Sequence, residues 1–210
     1  MAVKFIVLTG GPGAGKTAVM QAARQIFAQD VTILPEAASI VYSGGFPRNA
    51  THHSVRAAQR AIAAVQAELE QFTLEDNKAP VALCDRGIVD GAAYWPDGMG
   101  CFYQAISASA AETLARYTTV IHLSTPAAGK GYDNSNPMRT ENAQQARELC
   151  RRIERAWDGH PNRLVVPATE TFTEKLEQVT AMIRSELMLQ KDVPHFTSTS
   201  SARLVHDFLN

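Results

Sequence analysis

Gly10, Gly15, Lys16 and Thr17 stand in the order G-x-x-x-x-G-K-[ST] within the run GGPGAGKT. These residue types at this spacing suit one task, gripping a polyphosphate. A loop that wraps an anion with its N–H groups must bring the backbone close, and Gly11, Gly13 and Gly15 carry no side chain to block the approach. A helix starting at Lys16 aims its unpaired N–H groups and its positive end at the same point. Lys16 adds a point charge for the outer phosphates, and the Thr17 hydroxyl can ligate magnesium. The expected contacts to ATP and Mg2+ are therefore Gly11, Pro12, Gly13, Ala14, Gly15, Lys16, Thr17 and Ala18. A mere Gly/Pro turn beside a solvated lysine would leave the apolar run 3–8 before the motif, and the helical pattern after it, without a reason.

Three further positions carry chemistry that a phosphate loop could use. Asp85 ends the run VALCD, where a carboxylate can hold magnesium directly or through water; the other reading is an N-cap for a helix beginning at Arg86–Gly87. Arg86 can meet an anionic or hydroxylated substrate, or form a surface ion pair with Asp90. Glu36, just past a short strand in LPEAAS, can take the proton from an attacking hydroxyl, or can stabilise a helix start. A polar stretch over 124–137 followed by Arg139, Arg147, Arg151 and Arg152 reads as a lid. Phosphoryl transfer needs cations over the migrating group and water kept out, and Arg139 is the first candidate for that charge. Glu141, Glu148 and Glu154 offer most of these arginines ordinary ion-pair partners on a solvated helix. The adjacent His52 and His53 read as a solvated loop rather than a metal site, because neighbouring side chains diverge. Trp95 and Trp157 read as packing residues.

Positioning these groups requires five short apolar strands alternating with helices. The strands fall at 3–8, 31–34, 81–84, 119–123 and 164–166, and the helices at 18–29, 55–74, 88–95, 102–117, 139–157 and 173–189. On the helix 55–74, Ala58, Ile62, Val65, Leu69 and Phe72 form an apolar stripe opposite Arg56, Arg60, Gln66 and Glu70. Alternation of this kind predicts a parallel sheet covered on both faces, in the order 2-3-1-4-5, with ligands at the carboxyl ends of the strands. One domain over 1–190, with the lid at about 124–157, and a tail at 191–210 are expected; the patterning in the tail supports no assignment.

Composition narrows the partners. The chain has 210 residues, 45% of them apolar, and a formal charge of −1, so no basic excess invites a nucleic acid and no apolar run invites a membrane span. The first strand begins almost at residue 1, which leaves no space for a signal peptide. Cys84, Cys101 and Cys150 are widely spaced and odd in number, which favours reduced thiols and a cytoplasmic setting.

GGPGAGKT, the Glu of LPEAAS, the segment CDRGIVDGAAYW and the arginine-rich lid together resemble the small kinase-like P-loop ATPases of the AAA-type ATP-binding domain group. That group is similar to the ribosylnicotinamide kinases and, more distantly, to the deoxynucleoside kinases. The resemblance spans about residues 3–187 and implies a P-loop NTPase fold of three layers, α/β/α, that binds ATP with magnesium. It also implies that Glu36 of the Pro35–Glu36 pair is a base and that Asp85–Arg86 is the acidic–Arg pair after the third strand. A second proline after Glu36 is missing, and 42–54 matches no substrate pocket of those kinases.

Two functions follow. The first is a kinase acting on a small, nucleoside-like phosphoryl acceptor; the second is a nucleotide-dependent switch or slow ATPase working through a protein partner. A GTPase lacks its N-K-x-D segment, since HLSTP stands after the fourth strand. A ring-forming ATPase lacks a helical lid domain for neighbouring subunits. Oligomeric state is left open, a homodimer included.

Overall fold

The computed structural model describes residues 3–76, 78–125, 143–168 and 171–191. Five parallel strands lie in the order β2-β3-β1-β4-β5, as the alternation of strand and helix predicts. They are β1 (Lys4–Gly10), β2 (Val31–Leu34), β3 (Val81–Asp85), β4 (Thr119–Leu123) and β5 (Arg163–Val166). Eight helices are described: α1 (Lys16–Phe27), α2 (Ala37–Ser43), α3 (His52–Asp76), α4 (Asp90–Tyr94), α5 (Met99–Ala105), α6 (Ala110–Ala115), α7 (Ala143–Ala156) and α8 (Phe172–Lys191).

The central strand explains the layering. Phe5 and Val7 of β1 point into one apolar cluster, with Phe102, Ile153 and Trp157. Ile6 and Leu8 point into another, with Val19, Ala23, Val179 and Ile183. Strand side chains alternate faces, so an unbroken apolar run needs helices on both sides. Here α3, α4, α5 and α7 cover one face, and α1 and α8 the other. This is the three-layer α/β/α fold of a P-loop NTPase. Leu8 pairs with Asp85, and Gly10 with Leu123, so the ends of β1, β3 and β4 share one edge of the sheet.

Three expectations from the sequence need correction. The helix expected over 102–117 is two helices, α5 and α6, parted where Ser107 takes φ 56°. Ser109 then starts α6 with a reciprocal capping box to Glu112. The buried face of α3 only partly follows the apolar stripe: Ala58 is buried and Leu69 packs on the core, but Phe72 is 63% exposed, while Gln59, Gln66 and Glu70 are buried. Glu70 tolerates burial because Gln66, Arg116 and the Tyr117 hydroxyl all donate to its carboxylate. Periodicity counts apolar residues and is blind to such partners. His52 and His53 open α3 rather than sit in a loop, and both are exposed. Trp95 and Trp157 are core packing residues, as expected.

No helix among the described residues is long and apolar enough to cross a membrane. The tail at 191–210, Lys191 apart, and the lid segment 126–142 lie outside the described residues.

Candidate nucleotide and acceptor site

The phosphate loop connects β1 to α1. Gly10 leaves the sheet at φ 136°, and a Cβ there would lie 2.2 Å from the Leu123 carbonyl oxygen. Only glycine lets the chain turn out between β3 and β4 at this point. Gly15 occupies the N-cap of α1 in the left-handed region, with φ 93°. Gly11 and Ala14 are buried, Pro12, Gly13 and Gly15 half-buried, and Thr17 and Ala18 exposed. The loop is braced from behind, since Lys175 of α8 donates to the Ala14 carbonyl at 3.0 Å and Thr125 donates to the Pro12 carbonyl at 3.3 Å.

Lys16 curls back over its own loop, donating from Nζ to the carbonyls of Gly10 at 2.8 Å and Gly11 at 3.0 Å. Burial and then the nearby Arg86 charge lower its pKa to about 8, against the opposing pull of Asp85 and Glu36. A lysine so desolvated gains much from an arriving phosphate.

Glu36 and Arg86 meet across the edge of the sheet. Arg86 Nε donates to Glu36 Oε1 at 2.9 Å, and Nη1 donates to Asp90 Oδ1 at 3.1 Å. The expected alternative of a surface pair between Arg86 and Asp90 is corrected here, because Asp90 is only 4% exposed at its side chain and Arg86 14%. Arg86 itself takes φ 73°, which is strained for a residue with a Cβ and sends its side chain back over the cleft. Burial opposes its charge, but Tyr94, Asp90 and Glu36 outweigh it and hold the guanidinium protonated. Glu36 stands at the N-cap of α2, yet its carboxylate caps no backbone N–H; it accepts from Ser39 instead, at 2.6 Å. Burial raises its pKa, while Arg86 and the Ser39 hydroxyl outweigh this and leave it below the ordinary value. Glu36 is therefore ionised at neutral pH and free of a capping duty.

Asp85 does not cap a helix either, because α4 begins only at Asp90 with Val89 as its N-cap. Burial raises the Asp85 pKa, Lys16 opposes, and Oδ1 is buried with no hydrogen-bond partner among the described residues. An orphaned carboxylate oxygen near the Thr17 hydroxyl and the phosphate loop fits a magnesium ion whose other ligands are phosphates and water. Among the described residues no group of three or more His, Cys, Asp or Glu could hold a metal ion.

Asp90 is the hub that sequence reasoning missed. It accepts from the Thr9 hydroxyl, the Gly87 amide at 3.1 Å, Arg86, and Trp157 Nε1 at 3.2 Å. The i,i+4 spacing to Arg86 hinted at the ion pair, but nothing in the sequence joins Asp90 to Thr9 or Trp157. Beyond Arg86 opens a cleft of about 730 Å³ that runs from Pro12, Lys16 and Thr17 past Glu36 and Asp85 to α3. Tyr42, Arg48 and Asn49, from the region that matched no known pocket, line it, with the Arg48 guanidinium 5.0 Å from the Tyr42 ring centre. Gln59 lines it too and is 7% exposed.

A family model for the AAA domain matches residues 5–175. The chain belongs to the AAA domain family. No curated protein shows a significant match to it. Membership of the family supports a nucleotide-binding P-loop protein. Arg139 lies outside the described residues, whereas Arg151 pairs with Glu148 on the exposed face of α7, the ordinary ion-pair role.

Proposed function

We propose that this AAA domain protein is an ATP-dependent phosphotransferase that moves the γ-phosphate to a hydroxyl of a small, nucleoside-like acceptor. The cleft beside the phosphate loop carries this reading. It is lined by an ionised carboxylate, a buried guanidinium and the Gln59 side chain. A domain that only hydrolyses ATP has no use for a cleft that extends from the phosphate loop as far as α3.

Each residue then has a task. Gly11–Ala18 and Lys16 hold the phosphates, and Lys16 neutralises charge as it spreads over the transferring group. Thr17 and Asp85 would hold magnesium, which supplies charge neutralisation between the outer phosphates when bound. Glu36 accepts the proton of the acceptor hydroxyl, and Arg86 fixes the Glu36 carboxylate toward the phosphate loop. Gln59 offers a donor and an acceptor to the edge of a flat heterocycle or an amide. Arg139 remains the candidate for a cation delivered by the lid.

A second reading, a nucleotide-dependent switch, is favoured by one observation. Thr9 beside the loop is tied through Asp90 to Trp157 in the core cluster packed by α7, a route by which the phosphate state could reach a distant surface. Incubation with ATP, magnesium and a panel of nucleosides separates the two. ADP release that depends on an acceptor, with a phosphorylated product, supports the phosphotransferase. A basal rate indifferent to every acceptor supports the switch.

A further inference from the structure

The charges that line the cleft fall into two groups. Lys16, Glu36, Asp85, Arg86 and Asp90 gather beside the phosphate loop and act on one another as one cluster. Acids outnumber bases in it. Arg48 stands apart, on the connection between α2 and α3, with its guanidinium over the Tyr42 ring at 5.0 Å from the centre. Glu36 directly precedes α2 and Tyr42 lies near its end, roughly 9 Å further along the helix axis. That separation is comparable with the span of a nucleoside from a ribose hydroxyl to the far edge of its ring.

The chain fixes the place of this pair. Val41 is buried where α2 packs on α3, and the Phe46 amide donates to the Val41 carbonyl at 3.2 Å, folding the connection back over α2. Gly45 takes φ 89° at the reversal, a conformation that suits glycine. Tyr42 cannot neutralise the cation above it. Burial raises its pKa against the pull of Arg48, so the phenol keeps its proton at neutral pH. The ring face attracts and orients a guanidinium, yet leaves its positive charge and its N–H edge for another partner. The cleft is therefore electrically polar along its length. An anion beside the reacting hydroxyl would meet Glu36, Asp85, Asp90 and the phosphates of the nucleotide; an anion at the other end meets Arg48.

We propose that the acceptor is a riboside-like alcohol whose ring bears a carboxylate remote from the reacting hydroxyl, and that Arg48, held by Tyr42, selects it. One planar guanidinium presents a fork that matches the two oxygens of a carboxylate, and a single charge that matches its single charge. A carboxamide of the same shape offers one acceptor oxygen and no charge. In the transfer, the hydroxyl oxygen bonds to the γ-phosphorus as the bond from that phosphorus to the bridging oxygen breaks. The electron pair leaves with ADP, and the hydroxyl proton passes to Glu36. The inference rests on the phosphotransferase reading and adds to it the charge of the substrate.

The test uses the full chain with ATP and magnesium, and matched ribosides that carry a carboxylate or a carboxamide at one position of a pyrimidine or a pyridine ring. Phosphorylated product is followed by mass spectrometry to give kcat and KM for each. The kcat/KM for the carboxylate should exceed that for the carboxamide by about tenfold, through KM, and the ratio should decline as salt is raised. In Arg48→Met the ratio should fall close to unity. Arg48→Lys keeps the charge without the fork and should give an intermediate ratio, and Tyr42→Leu, which frees the guanidinium, should lower it as well. The ratio is taken within each protein, so a partial loss of folding scales both members alike. A parent ratio at or below unity, or a ratio that Arg48→Met leaves unchanged, overturns the inference, while transfer to either riboside upholds the phosphotransferase. ADP release that no riboside increases, with no phosphorylated product, overturns the phosphotransferase reading and this inference with it.

Discussion

Arg86 donates to Glu36 at 2.9 Å across fifty positions of sequence, joining the end of β3 to the end of β2. That contact turns a helix-start carboxylate into a fixed, ionised group in the cleft beside the phosphate loop.

Glu36→Gln tests the consequence. The amide keeps the shape and can still accept from Arg86, but it cannot take a proton from a hydroxyl. ATP affinity should remain within a few-fold, while acceptor phosphorylation drops by roughly 10²–10⁴-fold. Single-turnover measurement of product formation checks this, and unchanged transfer removes Glu36 from the chemistry.

Lys16 makes binding depend on pH in a defined direction. Its pKa in the ligand-free chain is about 8, against an ordinary 10.5, so the folded chain binds fewer protons than the unfolded one between those values. Stability from this group is therefore lost below that window and recovered as pH rises through it. Bound phosphate charge raises the Lys16 pKa again, so nucleotide binding takes up protons. Calorimetry in two buffers of different ionisation enthalpy should show uptake of roughly half a proton near pH 8 and almost none near 6.5. ATP affinity should decline above pH 8.

Asp90→Asn keeps the volume of a residue that accepts from Thr9, Gly87, Arg86 and Trp157. The amide nitrogen cannot accept, and Arg86 loses a buried counter-charge. A loss of roughly 2–4 kcal/mol of folding stability is expected by denaturant titration. Transfer should fall as well, because Arg86 no longer has two anchors.

Gln59→Leu removes an amide that lines the cleft without changing the phosphate loop. The KM for the acceptor should rise about tenfold or more, with ATP affinity unaltered, since one well-placed polar contact to a ligand is worth ~1–3 kcal/mol. An unchanged acceptor KM would place the acceptor elsewhere in the cleft.

Arg116→Met tests the buried face of α3. Glu70 would keep Gln66 and Tyr117 as donors but lose its counter-ion. A cost of roughly 2–4 kcal/mol is expected, and Glu70→Gln in the same background should recover part of it. Additive losses in that double variant would show that the two groups do not interact.

The sequence by itself determined the phosphate-loop motif, the strand order and the sheet edge at which β1, β3 and β4 end. Those depend on local residue types: glycines that let backbone approach an anion, apolar runs long enough for a strand, and breaks between them. Asp85 and Glu36 were legible because one ends β3 and the other lies just past the end of β2. Only the tertiary structure decided which face of α3 is buried, because Glu70 and Gln66 read as solvent-facing until Arg116 and Tyr117 are in place. It alone decided that Arg86 bridges Glu36 and Asp90, and that His122 and Cys150, 28 positions apart, meet behind Gly11. The physical reason is common to all of these: a polar side chain is buried or exposed according to the partners it finds, and partners distant in the chain are brought together only by the sheet.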